Sequence, residues 1–193
     1  QWVQAQPQKD GKNAGEMLTG AIKAAILLNT EPAFDAAAGA KGLEQADMVI
    51  TLSPFKANLD ISDVLLPVAP FTETSGTFVN AEGRVQSFHA VVKPLGDTRP
   101  AWKVLRVLAN LLELPGFDYE SSQDVLTAAI GAETKEVPSA LRSNITKVAA
   151  KVPENEAAEP VTASIYQLDG IVRRATSLQL TADARLAREG GAA

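Results

Sequence analysis

The sequence predicts an α/β domain: a parallel βαβαβ sheet flanked by helices, followed by a β-hairpin and a helical or irregular C-terminal segment. Three observations lead there. Three short apolar runs lack alternation, as strands covered on both faces do: Ala24 to Asn29, Asp47 to Leu52 and Asp63 to Val68. Helix signals fall between them, at a spacing that suits right-handed crossovers. A period-two pattern then brackets the turn sequence Asn80-Ala81-Glu82-Gly83.

Taken in order, "QWVQAQPQKDGK" is polar and aperiodic, an irregular lead-in. Asn13 can cap a short helix through Gly20, with Glu16 three residues on completing a capping box. After the first strand, the alanine-rich run from Ala33 to Gln45 reads as a helix despite two glycines, each costing about 1 kcal/mol. Ser53-Pro54 sets a cap before a residue favoured in a first helical turn, so "SPFKANLD" predicts a brief helix. Beyond the hairpin, a helix starts at Asp97-Thr98-Arg99-Pro100. It carries Trp102, Leu105, Leu108, Ala109 and Leu112 on one face, a face expected to pack on the chain's own sheet, until Pro115-Gly116 stops it. Ser121 or Ser122 caps another helix to about Ile130. The texture then changes to an Ala-, Glu- and Pro-rich loop region. "SIYQLDGIVRRATSLQLT" resumes apolar spacing, and Thr181-Ala182-Asp183 starts a last short helix. The resulting organisation is a lead-in with short helix over residues 1–22, an α/β domain with hairpin and helices over 23–130, a linker over 131–160 and a helical or extended segment over 161–193.

Composition excludes much. A formal charge of -5 without a basic block argues against nucleic acid as a partner. The absence of cysteine removes disulfides, thiolate catalysis and cysteine-held zinc or iron–sulfur centres from these residues. A single histidine, His89, cannot build a multi-histidine metal site, and on a sheet face it reads as packed or hydrogen-bonded structure. The apolar runs are far shorter than the roughly 20 residues of a membrane span, so no direct membrane insertion is expected. The chain begins Gln1-Trp2 and stops just after a helical stretch, which reads as an excised fragment.

The densest pattern is "FTETSGTFVNAEGRVQ". Asn and Gly at the first and fourth turn positions suit a type I turn, in which Asn bonds backbone N–H groups and Gly accepts positive φ. On that reading Glu82 is solvated and Arg84 flanks the turn. Yet Thr72, Glu73, Thr74, Ser75, Thr77, Asn80, Glu82 and Arg84 crowd together after the third strand's carboxyl end, where open α/β sheets bind ligands. Both readings fit, and no GxGxxG or GxxxxGK[ST] is present to decide for a nucleotide. Elsewhere the plainer readings are Ser53 as a cap, Asn29-Thr30-Glu31-Pro32 as a turn, Asp60 and Asp63 as turn caps, and Arg173-Arg174 as a solvated or salt-bridged pair.

The stretch "DVLLPVAPFTETSGTFVNAEGRVQ" resembles the molybdopterin oxidoreductase family. Together with "LLNTEPAFD", "VVKPLGDTRPAWKVLRVLANLLELPGFDYESS" and "IYQLDGIVRRATSLQLTADARLA", it is similar to one branch of that family, the cluster-bearing peripheral-arm subunit of bacterial NADH:quinone oxidoreductase, respiratory complex I. The resemblance implies a structural, non-catalytic C-terminal-half piece of that subunit. The iron–sulfur clusters carrying electrons from NADH toward quinone would lie outside this chain, with no cofactor held here. Thr77, Asn80, Glu82, Gly83 and Arg84 would be vestiges of a pterin-approaching motif. The implied partners are other peripheral-arm subunits and the N-terminal domains of the same subunit, and the implied location is peripheral, on the cytoplasmic side of the inner membrane. Glu31-Pro32 stands where the family usually has Asn-Pro. The alternative is a cofactor-binding piece of an active molybdopterin enzyme such as a formate dehydrogenase, in which the Asn80 to Arg84 turn grips the pterin.

Overall fold

The computed structural model describes residues 11–20, 22–36, 39–131 and 164–190. Residues 1–10 of the lead-in and 132–160 of the linker lie outside these. The described residues form two compact units, one built from 12–52, 56–66 and 164–190, the other from 11, 53–55 and 67–131.

In the first unit, helix α1 (Ala14–Thr19) starts as expected. Asn13 Oδ1 accepts from the Glu16 N–H, and a Glu16 carboxylate oxygen accepts from the Asn13 N–H, both at 2.9 Å. The sheet has the order β1 (Ala24–Leu28), β2 (Met48–Ser53), β3 (Val64–Pro67), and β1 pairs parallel with β2 from Ala24 opposite Met48 to Leu28 opposite Leu52. Among the described residues the central strand is the most covered. Val49, Thr51 and Leu52 are fully buried, whereas Ile26 of β1 is 49% exposed, so the first strand does not have the two-sided cover that its sequence predicts. Leu27, Leu43 and Val49 form the core, with Leu18, Ile22, Ala25 and Ile61 packed around them. Each such buried aliphatic contributes about 1.5–3 kcal/mol of transfer free energy. Asp63 fixes where β3 begins: its N–H donates to the Val49 carbonyl at 2.9 Å and its carboxylate accepts the Val49 N–H at 2.7 Å. It is a clamp between strands rather than a turn cap.

The crossovers depart from the sequence reading. The Ala33–Gln45 helix reduces to a single turn, α2 (Pro32–Asp35), and a 3-10 turn over Lys41–Leu43. Alanine propensity loses here to tertiary contact: the chain passes so close to α1 that a Cβ on Gly42 would sit 2.0 Å from the Leu18 carbonyl oxygen. "SPFKANLD" holds no helix either, because Ser53 Oγ accepts the Phe55 N–H at 3.1 Å in a tight local turn and Asn58 takes a positive φ of 55°. At the C-terminal end, α5 (Gly170–Arg174) is capped by Asp169, followed by α6 (Thr176–Gln179) and α7 (Ala182–Gly190). The Gln179 side-chain amide ties them together, donating to the carbonyls of Tyr166 at 2.9 Å and Val172 at 2.8 Å.

In the second unit, Val68 and Ala69 are buried. Val68 N–H donates to Ser53, and Ala69 N–H to Arg99. The antiparallel hairpin β4 (Gly76–Val79) and β5 (Val85–Phe88) pairs Gly76 with Phe88 and Val79 with Val85. Its second strand stops at Phe88, short of the Val92 that alternation predicts, and His89 is exposed rather than packed. Helix α3 (Ala101–Leu111) ends before Pro115: Glu113 reverses the chain at φ 56°, with Leu114 N–H on the Ala109 carbonyl in a Schellman-type closure. Leu112 therefore leaves the apolar face and is 62% exposed. Trp102 borders a cleft of about 230 Å³ with Gly76, Thr77, Val125 and Leu126, against the hairpin's foot and helix α4 (Ser122–Ile130). Ser121 and Asp124 form the capping box that starts α4.

Candidate functional site

The hairpin turn is built by Asn80. Its carbonyl accepts the Gly83 N–H at 2.9 Å, and its side-chain oxygen accepts the N–H groups of Glu82 at 3.0 Å and Arg84 at 2.9 Å. Gly83 sits at φ 81°, the left-handed region in which a Cβ costs about 1–2 kcal/mol. Thr77 faces its cross-strand neighbour Ser87, hydroxyl to hydroxyl at 3.0 Å. Phe78 and Phe88 stack at 5.0 Å between ring centroids, closing the hairpin's apolar side. Arg84 and Glu82 pair at 3.9 Å with side chains 61% and 75% exposed, an arrangement worth little to stability.

The five residues of the motif thus lie together on one hairpin, with Asn80 turned onto its own backbone, Thr77 onto Ser87, and Glu82 and Arg84 at the surface. Other members of the crowded stretch are also engaged: Glu73 accepts the Leu95 N–H at 2.9 Å, and Thr74 donates to the Ser75 carbonyl at 3.1 Å. Ser53, read from the sequence as a cap, accepts the Phe55 N–H on its hydroxyl oxygen. Among the described residues no group of His, Cys, Asp and Glu is arranged to hold a metal ion, and no helix is long and apolar enough to cross a membrane.

A model of the family described as Molybdopterin oxidoreductase matches residues 3–111. The chain belongs to the molybdopterin oxidoreductase family. Its curated relatives include two Staphylococcus aureus proteins that bear the name "Putative formate dehydrogenase". The one from strain USA300 is 38% identical over 77 residues, 39% of this chain and 8% of the relative; the one from strain MRSA252 is 33% identical over 84 residues, 43% and 8%. The matched stretch is thus a small part of each relative's length.

Molybdopterin oxidoreductases take their family name from a pterin cofactor, and the turn can be tested against it. A pterin edge needs donors and acceptors aimed at an open cradle. Asn80 Oδ1 already receives two backbone N–H groups. The buried side-chain nitrogens without partners among the described residues, Arg106 Nε and Arg173 Nε, lie outside the hairpin. The Asn80 side-chain oxygen is thus committed to the turn's own backbone, while the Glu82 and Arg84 side chains lie at the surface.

What the sequence reading missed in this family member is a buried charge cluster in the first unit. Glu31 stands at the N-cap position of α2 without a side-chain capping bond, is 9% exposed, and accepts from both arginines of α5: Arg174 at 2.7 and 2.9 Å, and Arg173 at 3.1 Å. Arg173 also donates to Asp35 at 3.0 Å and to the Gln167 carbonyl, while its guanidinium lies 4.8 Å from the centroid of the Phe34 ring. The hydrogen bond from Arg174 holds the Glu31 carboxyl below the usual glutamate range against the opposing effect of burial, and the same bond raises Arg174. The salt-bridged reading of Arg173-Arg174 holds, but the "turn" at Asn29 to Pro32 is also an ion-pair hub. No local spacing could pair residues separated by 142 positions.

Proposed function

We propose that this chain is a structural, non-catalytic portion of the cluster-bearing peripheral-arm subunit of an NADH:quinone oxidoreductase of the complex I type. The whole subunit would carry electrons from NADH toward quinone through iron–sulfur clusters held outside these residues, with no cofactor held within them. The supporting observation is the self-satisfied signature turn, in which Asn80 spends its side-chain oxygen on the Glu82 and Arg84 N–H groups. The long run from Val91 to Ser122 supports the complex I branch within the family by its resemblance. On this reading the chain braces the cluster-bearing domains of its own subunit and meets other peripheral-arm subunits on the cytoplasmic side of the membrane.

A second reading, a piece of an active molybdopterin enzyme, draws support from the names of the relatives at 38% identity. Elemental analysis of the purified whole protein separates the two. Iron without molybdenum, tungsten or extractable pterin, together with NADH-dependent quinone reduction by the assembly, is the outcome expected of the complex I subunit. Stoichiometric molybdenum or tungsten with pterin and formate oxidation overturns it.

A further inference from the structure

After β5 the chain runs as a strap, residues 90–98, whose backbone is held at several points. Val91 N–H donates to the Thr72 carbonyl at 3.0 Å, Leu95 N–H to the Glu73 carboxylate at 2.9 Å, and the Thr98 hydroxyl to the Leu95 carbonyl at 2.7 Å. These bonds turn the strap's large side chains outward: Val91 is 82% exposed, Val92 55% and Leu95 77%. Isolated exposed aliphatics are ordinary, but three within five residues on an anchored strap form a patch.

Beside it lies an open cleft of about 610 Å³, where Lys93, Arg99 and Lys103 meet Glu73, Trp102 and the hydroxyls of Ser75 and Ser121. The carboxylate of Glu73 is already engaged by the Leu95 N–H, and Lys103 lies 5.4 Å from the centroid of the Trp102 ring. The cleft is therefore cationic in a chain whose net charge is -5.

We propose that the Val91–Leu95 strap and the adjoining Lys93, Arg99 and Lys103 cleft dock an acidic, aliphatic-containing polypeptide segment of a partner protein. A small oxyanion would use the cations but leave the aliphatic side chains in water. An acidic polypeptide uses both, its carboxylates meeting the three basic side chains and its apolar residues covering Val91, Val92 and Leu95. Because the strap's backbone is already fixed, little ordering entropy is lost on docking. The surface does not depend on which redox protein of the family carries the chain.

The test is fluorescence anisotropy with the 193-residue chain and a fluorescein-labelled peptide of glutamate and leucine. The expected result is saturable binding that weakens with added salt. Lys93→Glu with Lys103→Glu should lower the affinity at least about tenfold, as two attractions become repulsions, and Val91→Ser with Leu95→Ser should lower it as well. A peptide with lysine in place of glutamate should gain affinity for the charge-reversed variant, which misfolding cannot produce. Equal affinities of wild type and both variants overturn the proposal. So does displacement of the peptide by inorganic phosphate at an ionic strength where sodium chloride leaves it bound, which would assign the cleft to a small anion.

Discussion

Glu31→Ala is expected to loosen the C-terminal helices from the first unit. The carboxylate it removes accepts three hydrogen bonds from Arg173 and Arg174, and the Arg173 side chain is only 6% exposed. Stranding one charge of a fully buried pair costs about 3–5 kcal/mol. Two features reduce that here: the Arg174 side chain is 34% exposed and can turn to water, and Arg173 keeps Asp35 and the Gln167 carbonyl. We therefore expect a loss of about 2 kcal/mol, equivalent to roughly 4–8 °C in Tm for a chain of this size. Urea unfolding measures it, and hydrogen exchange at Ile171 and Val172, whose N–H groups bond Asp169, localises it to α5. The effect also has a pH signature. With its carboxyl held below the ordinary value of 4.5, Glu31 binds fewer protons folded than unfolded. Its contribution is thus fully present above that value and fades as pH falls through the lowered one. The advantage of wild type over Glu31→Gln should accordingly shrink below about pH 4.5. Superimposable urea curves for wild type and Glu31→Ala at neutral pH would refute the buried cluster.

Two further substitutions probe the backbone. Gly42→Ala places a Cβ 2.0 Å from the Leu18 carbonyl oxygen, a clash with backbone that cannot relax without moving α1; a loss of more than about 2 kcal/mol in urea unfolding is expected. Gly83→Val forces a β-branched residue to φ 81° and should cost about 1–2 kcal/mol, read as a lower Tm; an unchanged melt would contradict the turn's assignment.

Local chemistry was legible and long-range chemistry was not. The capping box of Asn13 with Glu16, a serine cap at Ser121 or Ser122 and the Asn80–Gly83 turn each close within four residues, so their residue types declare them; that Ser121 forms a full box with Asp124 came from the structure. The three strands were legible as apolar runs. The cover of β1 was not, because coverage depends on what the rest of the chain places beside Ile26. The Ala33–Gln45 helix failed because the close passage of Gly42 by Leu18 and the left-handed Gly39 override alanine's preference. The candidate turn was found by its motif, yet whether Asn80 faces a ligand or its own backbone is a matter of geometry. The same limit hid Glu31, whose partners lie in α5.

The claim that the signature turn is scaffold is tested most directly by the double variant Glu82→Ala with Arg84→Ala in the whole protein, assayed for metal and pterin content and for turnover with its electron donor. Because both side chains are exposed and pair only weakly with each other, a scaffold turn predicts unchanged metal, pterin and turnover per mole of protein. Loss of molybdenum or tungsten and of pterin, together with loss of activity, would show that the turn grips a cofactor and contradict it.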